Sequence, residues 1–250
     1  MPKQFGPVPF KGTMGNLTFY KSGDGFYVKS KPVITGDRIK SDPRFARTRE
    51  NMSEFATAGK AALLVRRAFL NASVKIEDGR VNNRLVKLMS TLLRRDQTSL
   101  RGQRHVVNGE ATALLGFQFN RLASLETSLR VPYDVVIDKT SGTVAVNVAE
   151  FIPGMCLDVP DGATHYQLVA AGAAIDFEDG TRTSGVKFGA YCSVDSDLQA
   201  AQSLSCNIGG GTGDAWMAAL GIQYFQRLGT IFYPIADGGR NALAIVKVDA

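Results

Sequence analysis

Residues 209–213, Gly-Gly-Gly-Thr-Gly, form the run whose backbone amides are best suited to surround a phosphate. Phosphate loops of this kind join a strand to a helix inside successive βαβ units. Only 37 residues follow residue 213, and residues 216–225 read as a strand. The run therefore reads as a loop between strands, and no cofactor is expected. His105 and His165 are the two histidines, 60 positions apart, without Cys or Glu at metal-ligand spacing from either. A zinc centre or a Ser-His-Asp triad would have to be built around one imidazole and distant partners. His105, in the polar stretch opened by Arg101-Gly102-Gln103-Arg104, reads as solvated, and His165 as a rim residue at a strand start. Asp176, Glu178 and Asp179 precede Gly180 in an acidic turn rather than a cation site. Cys156, Cys192 and Cys206 are odd in number and contain no C-x-x-C pair, so they read as reduced thiols packed as small apolar groups. No catalytic or metal-binding constellation emerges, no small-molecule substrate is identified, and an enzyme is not expected.

Aromatic and basic residues do come together. Lys21, Lys29 and Lys31 interleave with Phe19, Tyr20, Phe26 and Tyr27, and Arg44 and Arg47 follow at a helix start. This mixture suits a contact surface between protein copies. It also suits a nucleic acid, whose bases stack on rings and whose phosphates attract cations. In a hairpin alternate residues lie on opposite faces, so the rings read equally well as a covered side and the lysines as a wet one. Arg44, Arg47, Arg49, Arg66 and Arg67 read as the solvent face of a helix.

Charge is unevenly distributed. The chain carries a net +6, yet residues 1–130 hold 23 Lys and Arg against 10 Asp and Glu, and residues 131–250 hold 6 against 13. A chain with a net +13 in front and −7 behind favours association of one copy's front with another's rear. Such a contact is heterologous and closes into a ring or runs on as a fibre. The expected function is a self-assembling structural subunit, of a filament or a phage-derived particle, acting as a homo-oligomer. The alternative is a nucleic-acid-binding protein that uses the basic, aromatic front.

Residues 14–31 place two β-prone runs around Ser22-Gly23-Asp24-Gly25, a hairpin signal because Asp-Gly tolerates a tight turn. An isolated hairpin is marginal in water, so it must dock on something. Ser41-Asp42-Pro43 starts a helix, and Phe45, Met52, Phe55, Ala58, Ala62, Val65 and Phe69 draw one apolar stripe along it. A second helix begins near Arg80, with Val81, Leu85, Leu88 and Leu92 on one face and Arg94 and Arg95 at its end. From residue 117 short β-prone runs recur about every ten positions, eight in all, which predicts an antiparallel Ig-like β-sandwich. The fold expected is α+β, with a hairpin arm over 1–40, a helical region over 41–116 and the sandwich over 117–250. No stretch of eighteen apolar residues occurs, so no membrane span is expected. Residues 1–10 carry prolines and glycine where a Sec signal needs an apolar helix.

The run 10–21, Phe-Lys-Gly-Thr-Met-Gly-Asn-Leu-Thr-Phe-Tyr-Lys, followed by Tyr27-Val28-Lys29-Ser30-Lys31-Pro32 and an Arg-rich helix from Pro43, resembles a family of Bacteroidota proteins of no known activity. The resemblance covers the first 70 residues and implies a glycine-punctuated hairpin, a helix and a C-terminal β domain. Lys29 stands where that pattern usually has arginine, which removes a bidentate donor there.

Overall fold

Gly15 and Gly23 adopt positive φ, 56° and 57°, conformations that glycine enters without a Cβ penalty. Each closes a tight turn, and together they fold the front of the chain into a three-stranded antiparallel sheet ordered β1 (Gly12–Met14), β2 (Leu17–Ser22) and β3 (Gly25–Ser30). The computed structural model describes residues 2–6, 8–23, 25–30, 34–76, 78–106, 111–210, 215–235 and 239–250. They divide into two units, Met1–Glu50 and Asn51–Ala250.

In the first unit the outer edge of β3 is occupied by the chain's own opening residues. Gln4 N donates to Phe26 O at 2.9 Å and Val28 N to Pro2 O at 3.0 Å, so β3 pairs on both sides. Helix α1 (Gly36–Ser41) starts at Thr35, whose hydroxyl accepts from Arg38 N. Asp42 caps the next turn by accepting from Arg44 N at 3.0 Å, and the Arg44 side chain holds its carboxyl below the usual range. Pro43 occupies the first turn, as Ser41-Asp42-Pro43 predicted. Helix α2 (Ala46–Ala68) follows. Among the described residues of 1–50, none is fully buried.

Among its described residues the second unit holds α2 from residue 51 onward, α3 (Leu70–Ser73), α4 (Val81–Arg95), α5 (Leu125–Ser128) and α6 (Pro153–Cys156), with nine strands. These are β4 (Tyr133–Asp138), β5 (Thr143–Val148), β6 (His165–Asp176), β7 (Thr181–Phe188), β8 (Cys192–Ser193), β9 (Gln202–Asn207), β10 (Ala215–Leu228), β11 (Ile231–Pro234) and β12 (Ala242–Asp249). Strands β6 and β10 pair from Ala215 opposite Ile175 to Phe225 opposite His165. The free side of β10 takes β12 and then β11, and that of β6 takes β7 and then β8. A separate sheet has the order β4-β5-β9. With its helices and antiparallel sheets the chain is α+β.

The central sheet is covered on both faces. Val169, Ala171, Ala173, Ile175, Met217 and Ala219 pack with Ala58, Ala62, Val65, Phe69, Leu85 and Met89 of the helices. Their neighbours Leu168, Ala170, Ala174, Ala218, Leu220 and Ile222 pack with Val144, Val146, Leu204 and Cys206 of the smaller sheet. Residues 166–175 are buried without interruption, because a strand between two apolar layers has no wet side. Helices supply a third layer on the central sheet and share a core with it. Buried Asn241 ties the layers together, accepting from Tyr224 N at 3.0 Å and donating to Lys75 O at 3.1 Å.

Two local expectations meet a different outcome. The stripe on α2 is buried from Ala58 onward, but Met52 and Phe55 are 59% and 65% exposed, because the described core does not reach the helix's first turns. In α4 the inward set is Val81, Leu85, Met89, Leu92 and Leu93, with Leu88 at its edge. None of the helices, among the described residues, is long and apolar enough to cross a membrane.

A Cβ at Gly221 would lie 2.6 Å from Ala242 O, a backbone atom that cannot turn aside. Gly221→Ala is therefore expected to cost about 1–3 kcal/mol in urea denaturation. Asp96 is buried and accepts from Thr98 N at 2.9 Å, Ser99 N at 3.0 Å and His105 N at 3.2 Å. The Ser99 amide in particular holds the Asp96 carboxyl far below its ordinary value. A depressed folded-state value stabilises fully above the unfolded carboxylate range and is lost as pH falls below it. Asp96→Asn should lower the melting temperature at neutral pH and flatten its decline below about pH 4, read by thermal scans across pH.

Candidate functional site

The aromatic and basic residues of the first sheet separate by strand parity. On one face Tyr20 and Tyr27 are register partners, and their rings stack at 5.9 Å with 30° between planes. Lys29 Nζ lies 5.3 Å from the centre of the Tyr20 ring and Lys3 Nζ lies 5.9 Å from that of Tyr27. On the other face Phe19 meets Phe10 edge-on at 6.2 Å, and Lys21 Nζ lies 5.9 Å from the Phe26 ring. Met14 and Leu17 are register partners on this second face. Phe10, Met14 and Leu17 are 61%, 73% and 44% exposed, so among the described residues of the first unit this face carries uncovered apolar surface.

Gln4 clasps the sheet. Its amide nitrogen donates to Phe10 O and Tyr27 O, both at 3.2 Å, and its carbonyl accepts from Phe10 N at 2.9 Å. These contacts suit surface recognition; none places a proton donor beside a nucleophile. Arg44 and Arg47 spend their charge locally, on Asp42 at 3.0 Å and Glu50 at 2.9 Å. The structure thus brings Phe19, Tyr20, Lys21, Phe26, Tyr27 and Lys29 onto one small sheet, with Arg44 and Arg47 in separate ion pairs. Lys31 lies outside the described residues.

Reading residues 14–31 as a two-stranded hairpin missed β1, the segment from Pro2 to Gln4, and the contributions of Phe10, Met14 and Leu17. The signal for β1 is Gly15-Asn16, a two-residue turn pair between β-prone neighbours. No comparable local signal marks residues 2–4, because their pairing partner lies more than twenty positions away.

The other chemistry-bearing residues stay apart. His105 has an exposed side chain. His165 Nδ1 lies 3.0 Å from Thr164 Oγ1, its ring stands edge-on to Phe232, and burial lowers its pKa. Asp176 accepts from the amides of Glu178 and Asp179 at 3.0 and 2.9 Å, an acidic turn closed on itself. Cys206 is buried, which raises its thiol pKa, and Cys156 and Cys192 are half-buried. Residues 211–213 of the glycine run lie outside the described residues, so the loop's capacity for a phosphate does too. Among the described residues, no three His, Cys, Asp or Glu side chains converge as metal ligands would.

No protein-family model matches the chain, and no curated protein matches it either.

Removing the clasp tests how the sheet is held. In Gln4→Ala the Phe10 amide should exchange its hydrogen about fivefold faster, the equivalent of a hydrogen bond worth roughly 1 kcal/mol. Hydrogen–deuterium exchange at residue resolution reads this directly.

Proposed function

We propose that the protein is a self-assembling structural subunit, of a filament or a phage-derived particle, whose copies join basic front to acidic rear. The observation that carries this reading is the missing core of the first unit. A sheet with large aromatic and aliphatic side chains on both faces contains no fully buried residue among those described, although sheets require a second layer to be stable. A second copy supplies that layer.

Electrostatics supports the direction of the contact. Residues 1–50 hold 10 Lys and Arg against 4 Asp and Glu. Within 51–250, residues 51–130 carry 13 against 6 and residues 131–250 carry 6 against 13. The stretch that holds the helices packed on the central sheet thus carries the basic excess of the second unit, and the stretch that holds its strands carries the acidic excess. In this reading the facing sheets of 133–249 form the Ig-like body of the subunit, and the first sheet is its arm.

Nucleic-acid binding is the competing reading. It needs open ring faces for bases, and here Tyr20, Tyr27 and Phe26 already meet one another or a lysine of their own sheet. Assembly requires no such opening and is preferred.

Light scattering with negative-stain microscopy on the full chain tests the proposal. Particles should grow with concentration at low salt and shrink as salt rises, since exposed charges are screened within about 8–10 Å near physiological ionic strength. A strict monomer at high concentration and low salt would remove it. Retention on a nucleic-acid column that falls steeply with salt would move the assignment to the second reading.

A further inference from the structure

Residues Phe151 and Gln199 exchange backbone hydrogen bonds, Phe151 N to Gln199 O at 3.0 Å and Gln199 N to Phe151 O at 2.8 Å. The Phe151 ring is buried against Tyr166, and the Tyr166 hydroxyl donates to Gln199 Oε1 at 3.3 Å, so the bridge is anchored on the central sheet. Extended chain alternates its side chains, so the residues next to the bridge face the other way. Ile152 and Leu198 are those neighbours, 42% and 60% exposed, and Met155, one turn further along, is 72% exposed.

Exposed Glu150, Asp195 and Asp197 stand within three positions of Ile152 or Leu198 along the chain. Residues 140–181 and 188–226, which contain the patch, hold no Lys or Arg. Among the described residues, Arg130 reaches this segment and donates to Met155 O at 3.2 Å. The first sheet presents the counterpart: Phe10, Met14 and Leu17 exposed on one face, with exposed Lys21 on that face and exposed Lys11 in the chain between Phe10 and β1. Each surface is an apolar centre with a charged border, and the borders have opposite sign, the composition of a specific protein interface.

Resting on the assembly reading above, we infer that the Ile152–Met155–Leu198 patch of one copy receives the Phe10–Met14–Leu17 face of a second copy's first sheet. The contact covers the apolar face of that sheet, and its charges set the order of attachment, front on rear. Because the two surfaces differ, every bound copy still offers one of each, and the assembly propagates.

Charge exchange in the full chain tests the pairing. Lys11→Glu with Lys21→Glu makes an acidic front, and Glu150→Lys with Asp197→Lys makes a basic rear. Neither doubly substituted protein should assemble alone. Mixed in equal amounts they should assemble again, each supplying the sign the other lost. Leu198→Ser should raise the critical concentration of the unaltered charge pair roughly tenfold, from the lost burial of one leucine. Circular dichroism and melting temperature establish that each variant is folded, since every substituted residue is exposed. If the parent chain assembles and folded variants do so at unchanged concentration, or if the mixture stays monomeric, the patch is not the receptor while assembly itself stands. If the parent chain is monomeric, the assembly reading fails and this pairing with it.

Discussion

The second unit depends on the pairing of β6 with β10. This long antiparallel ladder is apolar on both sides, so it becomes stable only when two separate layers cover it. The helices supply one and β4-β5-β9 the other, and alternate residues of the same strands feed the two cores. Alanine and glycine dominate where the layers come closest: Ala170, Ala171, Gly172, Ala173 and Ala174 in β6, Ala218, Ala219 and Gly221 in β10. Small side chains permit the approach, and the bulk needed to fill the cores comes from Phe69, Leu85, Met89, Trp216 and Tyr224 around them.

The first unit inverts that economy. It has aromatic side chains, a turn at each end of β2 and hydrogen-bonded edges, yet no described residue reaches full burial. Hydrogen bonds contribute little net stability without buried apolar surface, because water competes for every donor and acceptor. Ring stacking, cation–π contacts and the Gln4 clasp give the sheet a defined shape. A covering layer would give it stability, which is the physical basis for reading it as half of an interface.

The charge imbalance along the sequence follows the change from helices to strands. Helices from the basic stretch 51–95 pack on one face of the central sheet, and β4-β5-β9 packs on the other. Among the described ion pairs of the second unit, Asp78 with Arg84 at 2.8 Å and Glu54 with Arg104 at 3.6 Å lie within residues 51–130, and Lys139 with Asp249 at 2.9 Å lies within residues 131–250.

Much of the layout was legible in the residue order. Asp24-Gly25 between β-prone runs, Ser41-Asp42-Pro43 before an apolar stripe, and the recurring turn residues after 117 are local signals, and local hydrogen bonding and sterics are enough to read them. The aromatic–basic hairpin was legible for the same reason, and so was the charge division. The tertiary structure alone decided the third layer, because a run such as residues 168–174 reads as buried without saying what buries it. It alone showed that Met52 and Phe55 lie beyond the described core, that residues 2–4 complete the edge of β3, and that Phe151 pairs with Gln199. Each of these joins residues distant in sequence, and periodicity records only what a segment prefers, never which partner the folded chain brings to it.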